Sequence, residues 1–355
     1  MATVLDLSLP GARGRDRPLR IGLMGLGRIG RNLFRLLAER RDLELAVVSD
    51  IAPPASLEYL LRFDTLLGRF PSEIALADGW LYAAGRRTRL LSAAAPSEVD
   101  WARHEVDVVI EATGTSRGRA ELEPCLAAGV ARVILCAPPA EPPDLTVVFG
   151  VNDERLTAAH RIVSNASPTA QAAAPVLAVL EEAFGVERAF LSVLRAYSSR
   201  ERLADVPSSD LRRGRAAAEN IIPQETNAAE LVMEVLPALR GRVTGTALTV
   251  PVPNGSAVDL VCWHRRPVTA EAIRECLRTA ASTARWRGVL RWESAPLVSS
   301  DILRSPYSAN FDADATMVLE GGVSKTLTWY DSSWAYACRL LDLVARTAPR
   351  AEVRP

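Results

Sequence analysis

The sequence predicts an α/β protein, with a doubly wound parallel sheet in its first half and an α+β domain with a mostly antiparallel sheet in its second half. Three observations indicate this fold class. Apolar strand-like runs alternate with helical stretches up to about residue 165, and a glycine-rich turn follows the first run. Beyond that residue, several strand-like runs follow one another. The 355 residues suffice for two domain cores of ordinary size.

The first half begins with a strand, a turn and a helix. LRIGLM is a short apolar strand, and the helix after the turn has an apolar face. That face consists of Leu33, Phe34, Leu36 and Leu37. LELAVVSD is a second buried strand, ending at Asp50. VDVVIEATGT (106–115) and ARVILCAPP (131–139) are further strands, and a helix at about 117–129 separates them. This alternation predicts parallel strand pairing.

The second half has a different pattern. A helix (APVLAVLEEAFG), a strand (RAFLSVLRAY) and an Arg- and Ser-rich loop come first. A helix near 226–239, the strands TGTALTVPVP and AVDLVCWHRR, and a final amphipathic helix (WAYACRLLDLVARTA) follow. We predict a flexible arm at 1–17, a cofactor domain at 18–165, a catalytic-type domain at 166–331 and a returning C-terminal helix at 332–355.

The composition excludes several classes of function. Lys plus Arg equals Asp plus Glu at 42 each, so no overall field attracts nucleic acid or an anionic membrane. No apolar run reaches the roughly 18–20 residues that span a bilayer, and no secretory signal opens the chain. We expect a cytoplasmic protein without nucleic-acid or membrane partners. Five scattered cysteines and three unpaired histidines predict neither disulfides nor a metal site.

The glycine turn carries a cofactor signature. GLGRIG, which contains Gly25, Gly27, Arg28, Ile29 and Gly30, fits G-x-G-x-x-G between a strand and a helix. Such a turn lets the backbone approach a pyrophosphate at a helix N-terminus. Asp50 closes the next strand about 20 residues on, where it would accept a bond from a ribose 2′-hydroxyl and repel a 2′-phosphate. We therefore predict a Rossmann domain that binds NAD; the alternative is a helix-capping aspartate on a purely structural sheet.

Four stretches together resemble the glyceraldehyde-3-phosphate dehydrogenase family. They are IGLMGLGRIGR, SNAS-TAQ, AENIIPQETNAAELVMEVLPALRGRVTGTAL-VPVPNGSAVDL and WYDSSWAYACRLLDL, in order between about residues 19 and 346. The resemblance implies a Rossmann cofactor domain, a catalytic domain whose sheet packs on it, and usually a homotetramer. It also implies that Pro138 and Tyr336 flank the nicotinamide ring, and that Ser332 stands where the family holds the carboxamide with an asparagine.

At the reaction face the sequence departs from the family. The resemblance places the nucleophilic cysteine at Pro168, which has neither a nucleophile nor a backbone N–H for an oxyanion. It places the general base, a histidine, at Arg195, whose guanidinium has N–H donors and no acceptor. Pro168 also suits the first turn of a helix, with Ser167 as its N-cap. We expect phosphorylating aldehyde oxidation to be absent.

The family's anion-binding positions are partly changed. The resemblance places a phosphate-binding arginine at Thr249 and a threonine at Arg200. Hydroxyls persist at Ser167, Thr169, Ser198 and Thr226. We expect these residues to bind a phosphorylated or carboxylated group. We extend this hypothesis of anion binding to the arginines of the loop at 195–215. Its alternative is a charge run, exposed or between subunits, that pairs with Glu201, Asp205 and Asp210.

Three hypotheses for the function remain open. One is an NAD-dependent oxidoreductase of altered chemistry, with hydride passing directly between nicotinamide and an anionic carbonyl or alcohol substrate; its candidate catalytic groups are Arg195, Ser167 and Cys136. Cys136 could equally be an unreactive thiol at a strand end. The second hypothesis is a non-catalytic NAD(H)-binding pseudoenzyme. The third is a structural subunit that forms hetero-oligomers with an active paralogue.

Overall fold

The computed structural model describes residues 17–347, and the chain divides into two compact units. The first unit comprises Met1–Thr146, Leu156–Asn165 and Ala337–Pro355, and the second Val147–Arg155 and Ala166–Tyr336. The predicted arm lies outside the described residues except for Arg17. The predicted boundaries at 165 and 331 stay a prediction, and the division by contacts differs from them at 147–155 and 332–336.

The first unit is built around a sheet whose main part is parallel. Its strands are β1 (Leu19–Met24), β2 (Leu43–Ser49), β3 (Phe63–Asp64), β4 (Gly68–Arg69), β5 (Ile74–Ala77), β6 (Trp80–Ala83), β7 (Arg86–Leu91), β8 (Val108–Glu111), β9 (Arg132–Leu135), β10 (Leu145–Thr146) and β11 (Ile162–Ser164). Its helices are α1 (Arg28–Ala38), α2 (Pro54–Arg62) and α3 (Arg119–Ala127). The strand order is β10-β11-β9-β8-β1-β2-β7-β6-β5, and β3 pairs with β4 separately.

Strand register aligns the ends of the central strands. β1, β2, β7, β8, β9, β10 and β11 run parallel, whereas β6 and β5 pair antiparallel beside β7. Leu19 pairs with Leu43 at the amino-terminal ends of β1 and β2, and Ser49 pairs with Leu91 at the carboxyl ends of β2 and β7. The amino-terminal ends of β1, β2 and β7 therefore share one edge of the sheet. Their carboxyl ends meet at the opposite edge, where open α/β sheets bind ligands.

Close packing explains why small and apolar residues occupy this unit's core. The predicted apolar face of α1 is buried, with Leu33 fully inaccessible. Trp101 lies against Gly22 of β1, where a Cβ atom would come within 2.3 Å of the indole ring. The predicted strands at 106–115 and 131–139 are confirmed as β8 and β9, and their side chains are buried. Continuous burial is expected for parallel strands covered on both faces.

The second unit combines one large sheet with helices. Its strands are β12 (Val186–Ala196), β13 (Ile222–Gln224), β14 (Val243–Val250), β15 (Ser256–His264), β16 (Leu290–Glu293), β17 (Ala309–Leu319) and β18 (Val323–Tyr330). Its helices are α4 (Pro168–Phe184), α5 (Ala228–Val235) and α6 (Ala270–Ala281), and α7 (Trp334–Ala345) begins here and continues into the first unit. The strand order is β13-β14-β12-β15-β18-β17-β16.

Strand pairing in this second sheet is mostly antiparallel, as predicted. The exceptions are β12 with β14 and β16 with β17, which run parallel. Burial alternates along β12: Ala189, Leu191 and Val193 are buried, whereas Phe190 is 48% exposed. Because α4 packs against β12, β15, β17 and β18, the buried residues face the helices. Arg195 continues this inward series at the end of the strand.

Some elements differ from the sequence prediction or were absent from it. The helix predicted near 226–239 ends at Val235, because Pro237 cannot donate an i→i−4 bond and instead begins a short 3₁₀ turn, Pro237–Leu239. Sequence analysis assigned no element to α2, α6 or the β5–β7 meander. Along residues 17–347, no helix combines the length and apolarity needed to cross a bilayer.

Candidate functional site

The glycine turn after β1 is tight at two positions and open at the third. Gly25 has a φ of +92°, and a Cβ atom there would lie 2.9 Å from the Thr113 backbone nitrogen. At Gly30, a Cβ atom would lie 2.2 Å from the Gly25 carbonyl oxygen. At Gly27 it would meet nothing within 4 Å. The first two glycines therefore serve the fold, and Gly27 leaves space for a ligand.

Helix α1 starts at this open position. Gly27 is its N-cap residue and provides no side-chain hydrogen bond; Arg28 and Ile29, half-buried, form the start of the first turn. A helix N-terminus without a side-chain acceptor attracts anions through its N–H groups and dipole. No acidic residue lies in the first turn of α1. The turn thus fits the pyrophosphate of a dinucleotide.

Asp50 connects the turn to the end of β2. Its Oδ2 accepts a hydrogen bond from the Leu26 backbone N–H at 2.7 Å, and its Oδ1 accepts one from the Ala52 N–H at 2.9 Å. A carboxylate has about four acceptor sites, so two remain for ribose hydroxyls. Asp50 is half-buried and lies beside the glycine turn, as the sequence analysis expected.

Glu111 and Thr113 also belong to this site, although the sequence analysis did not single them out. Glu111 is fully buried at the end of β8, and its carboxylate accepts bonds from the Thr113 N–H, the Thr113 hydroxyl and the Gly114 N–H. Burial raises the pKa of this carboxyl group. The bonds hold Thr113 against Gly25. The available signal was the position of TGT at the carboxyl end of a neighbouring parallel strand.

Cys136 and Pro138 follow β9 in the same unit. Pro138 is exposed, and the Cys136 N–H donates to the Glu111 carbonyl oxygen at 3.0 Å. Desolvation by burial, and then the negative charge of Glu111, raise the pKa of the Cys136 thiol well above its ordinary value. Since only a thiolate is a strong nucleophile, these surroundings favour the unreactive alternative.

We expect Cys136 to react slowly with iodoacetamide at pH 7, because a raised pKa leaves little thiolate. Its rate should increase as the pH rises towards that pKa. Peptide mass mapping of the native protein, with and without NAD, measures this rate. Rapid alkylation at neutral pH, absent in Cys136→Ser, would instead support a relocated nucleophile.

Helix α4 begins at Pro168, and Ser167 is its N-cap, as expected. The Ser167 hydroxyl accepts a hydrogen bond from the Ala170 N–H at 3.1 Å. The preceding residue, Ala166, has a φ of +54°, which is unusual for a residue with a side chain. The Tyr336 hydroxyl donates to the Ala166 carbonyl oxygen at 3.2 Å and stabilises this conformation. Strained backbone of this kind is frequent at functional sites.

A row of polar residues crosses the second sheet near the start of α4. Arg195 of β12 pairs with Thr249 of β14, and Ser256 of β15 pairs with Tyr330 of β18. The Ala196 N–H donates to Ser256 Oγ, which connects β12 to β15 at this level. The row places a cation and three hydroxyls at one end of the sheet.

Two hydroxyl groups of this row, those of Tyr330 and Thr249, differ in their hydrogen bonding. The Tyr330 hydroxyl lies 3.0 Å from Thr169 Oγ1 of α4. Burial raises the pKa of Tyr330, and the nearby charge of Arg195 partly opposes that shift. Thr249 is fully buried, and its Oγ1 has no hydrogen-bond partner among the described residues. A buried hydroxyl without a partner is costly, so a ligand that bonds it would gain affinity.

Two of the other predicted anion-binding residues, Ser198 and Thr226, have side-chain partners within the protein. The Ser198 hydroxyl donates to Glu201 Oε2 at 2.7 Å, and the Ser198 N–H donates to the same oxygen. Thr226 Oγ1 accepts from the Ala228 N–H before α5. Arg200 is exposed. The carboxylate on Ser198 makes that position a poor anion site, whereas Thr169, Arg195 and Thr249 are brought together by the sheet and α4.

The arginine loop shows one ion pair with an exposed aspartate. Arg215 Nε lies 2.9 Å from Asp205 Oδ2. Asp210 accepts bonds from the backbone N–H groups of Arg212 and Arg213 rather than from their side chains. Glu201 binds Ser198. The pairing of the loop arginines with all three acidic residues is therefore only partly observed within the described residues.

Asp331 organises the start of α7, next to the predicted carboxamide position Ser332. It is 1% exposed and accepts hydrogen bonds from five groups. The donors are Asn254 Nδ2, the Arg304 N–H, the Ser333 N–H, the Ser333 hydroxyl and the Trp334 N–H. Ser332 itself is half-buried, and Tyr336 is 2% exposed. Within residues 17–347, no group of three His, Cys, Asp or Glu side chains could hold a metal ion.

The chain matches two family models and is similar to bacterial proteins named glyceraldehyde-3-phosphate dehydrogenase. The models are described as "Glyceraldehyde 3-phosphate dehydrogenase, NAD binding domain", over residues 19–119, and "Glyceraldehyde 3-phosphate dehydrogenase, C-terminal domain", over residues 167–332. Glyceraldehyde-3-phosphate dehydrogenase of Streptomyces coelicolor is 42% identical over 327 residues, covering 92% of this chain and 97% of the relative.

Relatives from other bacteria show a similar extent of likeness. Glyceraldehyde-3-phosphate dehydrogenase 2 of Bacillus subtilis is 39% identical, covering 94% of this chain and 97% of the relative. The enzyme of Geobacillus stearothermophilus is 38% identical, with 94% and 99% coverage. The NAD-binding domain model over residues 19–119 shows NAD as the cofactor. The chain belongs to the glyceraldehyde-3-phosphate dehydrogenase family.

Proposed function

We propose that this family member binds NAD and does not catalyse phosphorylating oxidation of glyceraldehyde 3-phosphate. The observation that supports this most directly is Pro168 at the first position of α4, where the resemblance places the nucleophile. Proline offers neither a thiol nor an N–H at that position. At Arg195, where the resemblance places the family's general base, a guanidinium offers N–H donors but no acceptor for a thiol proton.

The cysteines of the second unit do not provide an evident substitute. Cys262 is fully buried on β15 and pairs with Ala189, six residues before Arg195 along β12. That separation is about 20 Å along the strand. Burial raises the pKa of both Cys262 and Cys276, so neither thiol is activated at neutral pH. The distance of Cys262 from Arg195 and the raised pKa values of both thiols support a reaction without a covalent intermediate.

The proposed activity is direct hydride transfer to or from an anionic carbonyl or alcohol substrate. Bound NAD supplies the hydride acceptor, and NADH the donor. Arg195 would bind a carboxylate or phosphate of the substrate, or polarise its reacting oxygen. Thr249 Oγ1 lies beside it in the sheet and is available for a hydrogen bond to the same group. Thr169 and Tyr330 would hold the start of α4 in place.

A non-catalytic role is the second candidate. Ser332 has a short hydroxyl where the resemblance places the amide that anchors the nicotinamide carboxamide, and poor orientation of nicotinamide weakens hydride transfer. Such a protein would bind NAD(H) and act as a regulatory or structural subunit. Either role is compatible with a cytoplasmic homotetramer or with hetero-oligomers containing an active paralogue, which we also propose from the family resemblance.

We expect saturable NADH binding at micromolar concentration and no NADH formation from glyceraldehyde 3-phosphate, phosphate and NAD. Binding is measured by nicotinamide fluorescence and energy transfer from tryptophan, and turnover by absorbance beside an active family member. Comparable turnover would overturn the proposed loss of activity. Absence of NADH binding up to millimolar concentration would contradict both the altered enzyme and the NAD-binding pseudoenzyme.

Arg195→Ala separates the two remaining roles. If Arg195 binds substrate, the variant should bind NADH normally and lose at least about tenfold in affinity for the anionic carbonyl compounds that wild type reduces, about 1.4 kcal/mol. Arg188→Ala, on the same strand but exposed and next to Glu187, is the matched control. A screen in which wild type reduces no carbonyl compound would favour the non-catalytic role.

A further inference from the structure

The loop after β8, residues 112–115, lies beside the glycine turn. Glu111 and Met24, the last residues of β8 and β1, pair with each other in the parallel sheet. The chain runs from β1 to β2 in one direction along the sheet, and from β8 to β9 in the other. Right-handed connections then leave on opposite faces, which opens a ligand crevice between the carboxyl ends of β1 and β8. The loop therefore forms one side of this crevice, and the glycine turn forms the other.

Short contacts hold the loop against the turn. The Ala112 N–H donates to the Met24 carbonyl oxygen at 2.8 Å. A Cβ atom at Gly25 would lie 2.9 Å from the Thr113 backbone nitrogen and 3.0 Å from the Thr113 Cγ2 atom. Thr115 Oγ1 in turn lies 2.7 Å from Thr113 Oγ1, and Thr115 is exposed. These contacts place an accessible threonine next to the turn that approaches the cofactor.

Glu111 fixes the direction of the hydrogen bonds in this loop. Its buried carboxylate accepts the Thr113 N–H at 3.0 Å, the Gly114 N–H at 3.1 Å and the Thr113 hydroxyl. Burial raises the pKa of Glu111, whereas these three donors oppose that shift and favour the ionised form. An ionised carboxylate can only accept, so the single hydroxyl proton of Thr113 is directed to Glu111.

The same direction passes on to Thr115. Because its own proton is used, Thr113 Oγ1 acts as the acceptor for the Thr115 N–H at 3.1 Å and for the Thr115 hydroxyl at 2.7 Å. The Thr115 oxygen has then donated its proton but keeps its lone pairs. The N–H groups of Thr113, Gly114 and Thr115 are each bonded within the loop. This arrangement suits a hydroxyl donor better than a phosphate oxygen.

We propose that the Thr115 oxygen accepts a hydrogen bond from a ribose hydroxyl of bound NAD, and that Glu111 is the positioning residue that orients it through Thr113. The two riboses are the parts of a dinucleotide that carry hydroxyl donors. Asp50 offers its remaining acceptor sites at the end of β2, on the other side of β1. The N-terminus of α1 thus lies between two acceptor groups. This inference rests on the proposed NAD binding and assigns residues to it.

NADH titration of Thr115→Val tests the ribose contact. Valine keeps the branched shape of threonine and lacks the hydroxyl. We expect NADH affinity at pH 8 to fall about three- to tenfold, which corresponds to the loss of one hydrogen bond. Thr115→Ser keeps the hydroxyl and should bind NADH as wild type does. Nicotinamide fluorescence measures affinity, and urea denaturation checks that both variants are as stable as wild type.

Glu111→Gln tests the positioning role in a double-mutant cycle with Thr115→Val. Glutamine keeps the size of the side chain but has one acceptor oxygen for three donors. We expect NADH affinity to fall at least about tenfold when Thr115 is present, and by less when it is already valine. A merely structural loss would lower NADH affinity equally in both backgrounds. If Glu111→Gln does not fold, Thr113→Val takes its place in the cycle.

Glu121→Gln is the matched control. Glu121 also accepts two backbone N–H bonds, from Arg117 and Gly118, but it is exposed in the first turn of α3. Its replacement should leave NADH affinity unchanged. Equal NADH affinity of Thr115→Val and wild type, or equal effects in both backgrounds of the cycle, would overturn the proposal and leave NAD binding intact. A wild-type protein that does not bind NADH would contradict NAD binding itself, and this proposal with it.

Discussion

Gly27→Ala should lower the free energy of unfolding by no more than about 1 kcal/mol but weaken NADH binding by at least about a hundredfold. The backbone at Gly27 has a φ of −66°, which alanine adopts without strain, and the added Cβ atom meets no protein atom within 4 Å. It would occupy the space through which the backbone approaches a pyrophosphate. Alanine is also a poorer N-cap than glycine, at a cost of about 1 kcal/mol or less.

Gly30→Ala is the matched control, and its main effect should be a loss of stability rather than a loss of NADH affinity. Its Cβ atom would lie 2.2 Å from the Gly25 carbonyl oxygen, so the helix must move away from the strand. We expect the free energy of unfolding to fall by about 3 kcal/mol or more. Urea denaturation followed by tryptophan fluorescence measures stability, and NADH titration measures affinity. Equal NADH affinity of Gly27→Ala and wild type would show that the turn does not contact the cofactor.

Asp331→Ala should lower the free energy of unfolding by about 3–5 kcal/mol. The substitution leaves the buried Asn254 amide and the Arg304, Ser333 and Trp334 backbone N–H groups without their acceptor. Those bonds join α7 to the segments that precede β15 and β17. Thermal and urea denaturation of the purified variant measure the loss.

Ser332→Ala tests whether this effect is specific to Asp331. Ser332 is the adjacent, half-buried residue, and its replacement should change the free energy of unfolding by less than about 1 kcal/mol. A loss of comparable size in both variants would show that the turn tolerates no substitution. A loss below about 1 kcal/mol in Asp331→Ala would show that water replaces the carboxylate as acceptor.

Much of the fold was predictable because local sequence periodicity carries it. The strand, glycine turn and helix around Gly25, the buried strands β8 and β9, and the start of α4 at Pro168 each follow from apolar spacing and from residues with restricted backbone conformations. The elements that sequence analysis left unassigned, such as β5–β7, have weaker patterns. Their pairing depends on neighbours that are distant in the sequence.

The glycine turn and the polar residues around Arg195 also differ in how far the sequence predicts them. The glycine turn is local, so its glycines and Asp50 could be named as candidates from spacing alone. The Arg195–Thr249 pair, the Tyr330 hydroxyl on Thr169 and the five bonds to Asp331 join segments separated by many residues. Sequence analysis could name some of these residues by family resemblance, but it could not say that Ser198 is bonded to Glu201 whereas Thr249 has a buried hydroxyl without a partner.

The sequence by itself determined the fold class, the family and NAD as the cofactor, and it supplied Pro168 and Arg195, the residues on which the proposed loss of activity rests. Tertiary structure decided which polar groups are already bonded and which thiols have raised pKa values. The physical reason is that glycine and proline act through their own backbone. Burial, electrostatic surroundings and hydrogen-bond pairing instead depend on atoms that only the folded chain brings together.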